Sequence, residues 1–422
     1  MCKLQNISTD TKSYKPKYEM QDIFRLYGDD YIARHKLNAM QLKAIGDISV
    51  CRTSAMGYNA KECSECKNIE FAYNSCRNRN CPKCQGDKRY GWIEKRLKTT
   101  LHTPYYHTVF TVPNQLFEIG LYNQKLFYNI LFESASQTLK QFAQNLKWWD
   151  VDVTTLESAK PKIDLAFFGI LHSWGQMLVY HPHIHFVVAG GGIMGDTLLH
   201  PKYKSKFLFP VKAMSRVFRG IFIAKLKKSY YDGKLELHDE FKESGFFENY
   251  IDNLVSRKWV VYMKSQFKSS QKIVEYMARY THKSAIANSR IVSIKNNIIR
   301  FKYKDYKDNS KTKVMKLSSD EFIKRFLYHI PPKRFFRIRY YGVIQRVAKM
   351  ESIKTIEIEP QHTKIKPKCK KCKCEEIKTV VVVDRYKKVV QGLMTPKIEE
   401  QRVFYPITRN RIKEEVWGCD SG

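Results

Sequence analysis

The chain has 422 residues, which is enough for two or three domains with cores of their own. It carries 75 Lys and Arg residues against 41 Asp and Glu residues, and the net charge of +34 favours a polyanionic partner, usually nucleic acid, over a merely lysine-rich surface. The N-terminal segment lacks the apolar region of a signal peptide, and no run approaches the roughly 18 apolar residues of a membrane span, so we expect a cytoplasmic protein without a membrane partner.

The eleven cysteines are concentrated in two regions. Six lie between Cys51 and Cys84, three lie between Cys369 and Cys374, and the stretch between these groups has none. In a cytoplasmic chain such clustering indicates metal or redox use rather than disulfides. The composition predicts three consecutive regions: an N-terminal zinc-binding domain (residues 1–98), a large middle domain (residues 99–350) and a basic C-terminal tail (residues 351–422).

Two Cys-x-x-Cys pairs form the most specific motif of the N-terminal region. Cys63 and Cys66 are separated from Cys81 and Cys84 by residues 67–80, which is the spacing of a tetrahedral zinc ribbon. Four protein ligands leave no open coordination position. We therefore predict a structural zinc ion rather than a catalytic one.

This region has two further cysteines, Cys51 and Cys76, beyond the four ligands of a single zinc site. Cys76 could replace one of the four ligands, or it could help to form a second site with Cys51, for which a plain buried thiol is equally reasonable. Arg77, Arg79 and Lys83 lie close to these cysteines in the sequence. Basic side chains on a rigid zinc scaffold are suited to contact phosphate, so we predict that they bind DNA.

The middle region begins with a predicted strand at residues 105–113, a β-branched and aromatic run that ends in proline. Apolar residues at three- and four-residue spacing predict a long helix over residues 123–149. Two adjacent strands are then predicted at residues 162–174 and 180–192. Strands and helices in this mixed order predict an α+β fold.

Further along, apolar periodicity predicts a helix over residues 269–284. Residues 289–304 predict a hairpin that turns at Asn296–Asn297, and residues 320–330 predict a helix closed by the prolines that follow. In the tail, Cys369, Cys372 and Cys374 could form a second metal knuckle or belong to a basic segment without metal.

The stretch YHPHIHFVVAGGG (residues 180–192) contains the histidines of a candidate metal site. Because alternate residues of a strand share a face, His183 and His185 point the same way, and Ile184, Phe186 and Val188 point into the core. Two imidazoles side by side can bind one divalent ion.

Two histidines leave the coordination of such an ion incomplete. His181 has the same parity, but Pro182 distorts the start of the strand. Gln176, on the preceding strand, could be brought across by a hairpin as an oxygen ligand. An unfilled shell with an oxygen donor suits Mg²⁺ or Mn²⁺ bound to a phosphate substrate.

Tyr276 and Tyr280 are four residues apart and are therefore neighbours on one face of the predicted helix. Ile273 and Met277 lie on the same stripe, so taken alone these tyrosines are more typical of a core. Together with the histidine pair, the zinc ribbon and the basic excess, they become candidate nucleophiles toward phosphorus.

With these motifs the chain resembles the two-tyrosine HUH transposases of the insertion-sequence-91 group, whose histidine–hydrophobic–histidine motif corresponds here to His183-Ile184-His185. The tyrosine stretch YMARYTHKSAIANSRI and the zinc-binding stretch YNSCRNRNCPKCQ resemble blocks of that group. Three further blocks follow the same order: HTVFTVP, HSWGQMLVYHPHIH and RFLYHIPPKRFFRIRYYG. One departure is Asn80, where the group has a histidine, and this favours a cysteine-only zinc site.

The resemblance implies a zinc-ribbon-like domain followed by an α+β HUH domain, in which an antiparallel sheet with flanking helices carries the histidines. It implies a rolling-circle-type transposase that cleaves and rejoins single-stranded DNA, at element ends and target, through a 5′-phosphotyrosine on Tyr276 or Tyr280. Structural Zn²⁺ and catalytic Mg²⁺ or Mn²⁺ are the implied metals, and Lys283 is a further candidate DNA contact. The chain has no helicase motif, so a host helicase or replication machinery at the nucleoid is an expected partner.

Two alternatives remain open at this point. A replication initiator or relaxase-type nickase would cleave DNA by the same tyrosine chemistry. The N-terminal zinc-binding domain and the order of the sequence blocks argue against this alternative. A non-catalytic zinc-ribbon regulator of nucleic acid would leave the regions of His183 and Tyr276 merely packed.

Overall fold

The computed structural model describes residues 16–84, 103–152, 162–195, 197–202, 207–267, 284–342 and 368–392. Contacts divide the chain into two units. The first contains the described residues up to Lys83, the segment Ile286–Lys324 and the described residues of the tail. The second contains the described residues of Cys84–Ala285 and those from Arg325 onward. Each unit is discontinuous along the chain, and strands far apart in the sequence pair within the first unit. The three consecutive regions expected from the composition stay a prediction.

The strands, in chain order, are β1 (Tyr58–Cys63), β2 (Ile69–Tyr73), β3 (Tyr105–Thr111), β4 (Ile163–Trp174), β5 (Tyr180–Met194), β6 (Thr197–Leu199), β7 (Val260–Phe267), β8 (Ile291–Lys295), β9 (Ile298–Asp305), β10 (Lys311–Ser318), β11 (Ile338–Tyr341), β12 (Ile377–Val383) and β13 (Val389–Gln391). The α-helices are α1 (Met20–Arg34), α2 (Ala39–Ser49), α3 (Phe117–Tyr122), α4 (Gln124–Ala143), α5 (Val211–Tyr231), α6 (Phe246–Ser256) and α7 (Ser319–Tyr328). None of the helices in the described part of the chain is long and apolar enough to cross a membrane.

The second unit is built on a sheet with the strand order β11-β4-β5-β3-β7, and β6 pairs with the end of β5. All of its pairs are antiparallel. The long central strands β4 and β5 are almost continuously buried, as expected for strands covered on both faces. The expected antiparallel sheet with flanking helices is confirmed.

One face of this sheet packs against helices to form the main core. Ile184, Phe186 and Val188 of β5 lie in this core, as the alternating pattern predicted. Phe132 of α4 packs edge-on against Phe186, and Phe218 of α5 belongs to the same cluster. The opposite face of β5 is the one that carries His183 and His185.

The long helix expected over residues 123–149 ends earlier than its periodicity suggests. Helix α4 stops at Ala143, and a short 3₁₀ turn covers Leu146–Trp148. The reason is the buried Trp149, whose indole Nε1 donates a 2.7 Å hydrogen bond to the Ala143 carbonyl. This bond satisfies a terminal carbonyl of the helix and folds the chain back on itself.

The first unit contains two smaller antiparallel sheets, with strand orders β13-β12-β1-β2 and β10-β9-β8. The predicted hairpin is confirmed: β8 and β9 are joined at Asn296 and Asn297, which have φ of 50° and 61°. Positive φ at both positions is typical of the two-residue turns that match strand twist. The helix expected over residues 320–330 is α7, and the one expected over residues 269–284 lies almost entirely outside the described residues.

Candidate functional site

Three histidines lie together on adjacent strands of the central sheet. His172 of β4 is the cross-strand partner of His183 of β5, and His185 follows two residues later. The candidate ligand nitrogens of the three side chains all lie within 4.8 Å of one another. Three ligands this close can bind one ion and leave further coordination positions for a substrate.

Hydrogen bonds at Nδ1 fix the orientation of the two imidazole rings on β5. The His183 Nδ1 atom lies 2.6 Å from the His181 carbonyl oxygen, to which it donates. The His185 Nδ1 atom lies 2.8 Å from Nε2 of His107 on β3, and the two rings stack. A hydrogen bond at Nδ1 fixes the orientation of each ring, as is usual for histidines that bind a metal through Nε2.

Burial keeps the imidazole rings of His183 and His185 uncharged. It lowers the pKa of His183 to about 4 and the pKa of His185 well below its ordinary value. Both rings are therefore neutral at pH 7, so a metal does not have to displace a proton. Mn²⁺ accepts imidazole nitrogens more readily than Mg²⁺, which binds almost exclusively to oxygen ligands.

Gln176, the expected third ligand, lies in the turn after β4 rather than on the strand, and its role as a ligand stays a prediction. The residue that faces His183 from the neighbouring strand is His172. The physical reason is the hairpin register, because the tight turn between Trp174 and Tyr180 places His172 directly opposite His183. Among the other predicted residues, Tyr276, Tyr280 and Lys283 lie outside the described residues.

Sequence reasoning missed both His172 and His107 as parts of this site. His172 and His183 are symmetric about the predicted turn, so counting back from that turn would have found the pair. His107 has no such local signal, because β3 contacts β5 across a sequence separation of 78 residues. Only the strand order of the sheet brings it to His185.

The His107–His185 contact gives a first testable prediction. Replacing His107 with Ala should weaken divalent-cation binding about 10- to 100-fold, because the His185 ring loses the partner that fixes its orientation. His107→Gln should recover much of the affinity, since its amide oxygen can accept from the His185 Nδ1–H. Mn²⁺ titration followed by electron paramagnetic resonance measures both. An unchanged affinity in His107→Ala would show that His107 does not position His185.

Eight of the nine cysteines in the described part of the chain form two separate four-sulfur clusters. Cys51, Cys76, Cys81 and Cys84 make the first, with sulfur atoms within 4.8 Å of one another and 3.7 Å between Cys81 and Cys51. Around a zinc ion with bonds of 2.3 Å, tetrahedral sulfurs are about 3.8 Å apart. This cluster therefore has the spacing and the donor set of a structural zinc site.

The second cluster joins Cys63 and Cys66 to Cys369 and Cys372 of the tail. Its sulfur–sulfur distances are 3.5 Å for Cys63–Cys372 and 3.6 Å for Cys66–Cys369. Hydrogen bonds from the backbone N–H groups of Cys66 and then Glu65 lower the pKa of Cys63 to about 7.

The two clusters correct the expectation of one zinc ion shared by both Cys-x-x-Cys pairs. Cys63 and Cys66 belong to one cluster, and Cys81 and Cys84 belong to the other. The spacing alone suggested a shared ion because the contribution of the tail cannot be seen locally. Asn80, at the position of the expected histidine, is buried and hydrogen-bonds to Asn78 through its backbone N–H.

The predicted DNA contacts of the N-terminal region differ in their surroundings. Arg77 is exposed, and burial lowers the pKa of the half-buried Arg79. Lys83 forms an ion pair with Glu19 and donates a 2.6 Å hydrogen bond to the Gln21 side chain. An internal carboxylate therefore already neutralises the Lys83 charge, which makes Arg77 the better candidate for phosphate contact.

Comparisons with known proteins identify the family of the chain. A family described as "Putative transposase" matches residues 166–351, which include the three histidines, and a family described as "Transposase zinc-binding domain" matches residues 23–112. The chain is 39% identical over 330 residues to "Putative transposase y4qJ" of Sinorhizobium fredii (strain NBRC 101917 / NGR234), covering 77% of this chain and 80% of that protein.

A more distant relative is the "Transposase for insertion sequence element IS801" of Pseudomonas savastanoi pv. phaseolicola. The identity is 25% over 315 residues, covering 73% of this chain and 71% of that protein. No solved structure matches the chain. The matched families, the identity over most of the chain and the cysteine clusters together place this protein in the insertion-sequence-91 family of DNA transposases, with a zinc-binding domain.

Proposed function

We propose that this transposase cleaves and rejoins single-stranded DNA with a tyrosine nucleophile at a divalent-cation site formed by His172, His183 and His185. The observation that carries the proposal is the cluster of three histidine nitrogens on β4 and β5, two of them oriented by hydrogen bonds. The proposed nucleophiles, Tyr276 and Tyr280, rest on the sequence motif.

The proposed chemistry is a transfer of one phosphodiester bond. The phenolic oxygen of one tyrosine attacks phosphorus and loses its proton, and the bond from phosphorus to the 3′-oxygen breaks. The 3′-oxygen takes up a proton, so the products are a 5′-phosphotyrosine and a free 3′-hydroxyl. A bound cation, Mn²⁺ or Mg²⁺, would withdraw charge from the scissile phosphate. The pairing of β4 with β5 holds the backbones of His172 and His183 opposite each other, so the sheet positions these two residues for a shared ion.

Rejoining follows the same chemistry in reverse. A 3′-hydroxyl of another strand attacks the phosphotyrosine, restores a phosphodiester and releases the tyrosine. Two tyrosines allow one strand to remain attached while a second is cut, which suits transfer from a donor end to a target in a rolling-circle-type reaction. The net charge of +34 supports binding along a flexible polyanion.

The single-stranded substrate has consequences for partners and place of action. Because the chain has no helicase motif, we propose that a host helicase or the replication machinery opens the duplex. The transposase would then act at the bacterial nucleoid, in the cytoplasm, where such single strands arise.

The nucleophile assignment is tested with the full chain, Mn²⁺ and labelled single-stranded element ends. We expect a covalent protein–DNA adduct on a denaturing gel for the wild type and none for the Tyr276→Phe, Tyr280→Phe double variant, because phenylalanine has no attacking oxygen. The single variants show which tyrosine attacks first.

A control variant and a competing substrate make this experiment decisive. A Tyr303→Phe variant, which changes a tyrosine of β9 in the first unit, should form the adduct at the wild-type rate. If the double variant still forms the adduct, another residue is the nucleophile. If the wild type cuts an origin-type sequence in preference to element ends, the enzyme is an initiator-type nickase instead.

A further inference from the structure

We propose that the chain binds a second structural zinc ion through Cys63, Cys66, Cys369 and Cys372, and that this ion anchors the tail segment 368–392 to the N-terminal region. The matched families cover residues 23–112 and 166–351, so the two tail cysteines lie outside both. The proposal does not depend on the DNA chemistry described above.

The first argument is that the two cysteine pairs have the same local backbone structure. In the first pair, the Lys67 N–H donates to the Cys63 carbonyl at 3.1 Å. In the tail pair, the Lys373 N–H donates to the Cys369 carbonyl at 2.9 Å. Lys67 and Lys373 stand at the same position after the first cysteine, and both have the left-handed backbone, with φ of 58° and 67°.

Such a conformation is unfavourable for a lysine without a compensating interaction. Its repetition at equivalent positions indicates that both turns serve the same purpose. A turn of this kind directs two sulfurs toward one point, and two turns facing each other complete a tetrahedron. The sulfurs of the facing turns are 3.5 and 3.6 Å apart, which suits four thiolates around one zinc ion.

The second argument is that the tail is built into the same sheet as the first cysteine pair. Strand β12 pairs antiparallel with β1, with Cys63 opposite Ile377 and Tyr58 opposite Val383. Val381 and Val383 are buried against Tyr58 and Ala60. The zinc ligands of both segments therefore lie at one end of the paired strands, where the sheet has already brought them into register.

Polar contacts surround the proposed site and hold the two turns together. The Ser64 N–H and hydroxyl both donate to the Glu376 carbonyl, at 3.1 and 2.7 Å. The Lys370 N–H donates a 2.7 Å hydrogen bond to Glu70, whose side chain also pairs with the Lys370 ammonium group. These contacts orient the ligand turns without using the sulfur atoms.

The proposed ion would close a very long loop. The facing cysteines are 303 and 309 residues apart in the sequence. Joining residues so distant removes much conformational freedom from the unfolded chain, so the anchor is expected to favour the folded state. Loss of the ion should release the tail segment before the rest of the first unit unfolds.

The zinc content of purified full-length variants tests the ligand set. The measurements use a His183→Ala, His185→Ala background, so that the histidine site adds no zinc. We expect two zinc ions per chain in this background, one in Cys372→Ser and one in Cys81→Ser. Cys374→Ser, which alters the neighbouring cysteine of the same tail segment, should retain two. Cys372→His should also retain two, because imidazole can replace a thiolate at a structural zinc site.

Three results would overturn the proposal. They are two zinc ions in Cys372→Ser, a single zinc ion in the His183→Ala, His185→Ala background itself, or a loss of zinc from Cys374→Ser equal to that from Cys372→Ser. The Cys372→His variant keeps the test valid if Cys372→Ser folds poorly, because it restores the ion without the thiol.

A second measurement tests the anchor itself. A specific protease site is inserted between residues 343 and 366 of the full chain, and the protein is cut under native conditions. The released C-terminal fragment should co-elute with the rest of the protein in size-exclusion chromatography, and Cys372→Ser should increase its dissociation at least tenfold. Equal retention of the fragment by both proteins would show that no ion anchors the tail.

Discussion

His172→Ala should reduce the rate of covalent DNA adduct formation about 10³-fold, although His172 lies outside the histidine–hydrophobic–histidine motif. Removing it leaves two histidines, and a cation that polarises a phosphate contributes several kcal/mol to the transition state. The rate is measured with Mn²⁺ and labelled single-stranded element ends. Raising the Mn²⁺ concentration should restore part of the activity, because the defect is in binding the cation.

The matched control is His181→Ala on the same strand. The His181 carbonyl accepts from His183, but its side chain is not part of the histidine cluster, so this variant should retain activity within about threefold. Equal losses in His172→Ala and His181→Ala would mean that the strand, and not the cation site, had been damaged. Wild-type activity in His172→Ala would remove His172 from the proposed site.

Gly57→Ala should lower the free energy of unfolding of the first unit by about 3 kcal/mol or more. Gly57 has φ of 77° and ψ of −179°, a region that costs other residues about 1–3 kcal/mol. A Cβ atom there would lie 2.2 Å from the Val383 carbonyl oxygen, which is backbone and can move only if β12 moves. Urea denaturation followed by circular dichroism measures the change.

Gly46→Ala is the control for this experiment. Gly46 lies inside α2, and a Cβ atom there would meet nothing within 4 Å. Alanine should therefore stabilise the helix by about 0.5–1 kcal/mol. If Gly57→Ala were as harmless as Gly46→Ala, the tail strand could not pass against Gly57, and the pairing of β12 with β1 would have to be abandoned.

Local patterns predicted a large part of this fold. The alternation in β5 identified which residues enter the core and which face carries His183 and His185, because side-chain direction in a strand depends only on parity. The Asn296–Asn297 turn was predictable for a similar reason, since few residues tolerate positive φ. Both features are decided within a few residues of the chain.

The composition of the sites was decided by strand pairing, in most cases between distant segments. His172 reaches His183 through the register of a hairpin, and His107 reaches His185 only because β3 lies next to β5. The cysteine pairs were visible in the sequence, but their partners were not. Cys63 and Cys66 meet the tail instead of Cys81 and Cys84 because β12 pairs with β1.

The amino-acid sequence therefore determined the chemical groups and the faces on which they lie, since both follow from residue type and backbone periodicity. The tertiary structure decided which groups share an ion, since that depends on strand order and on pairing across some 300 residues. Spacing along the chain cannot encode such pairing, because many partners are equally accessible until the sheet forms.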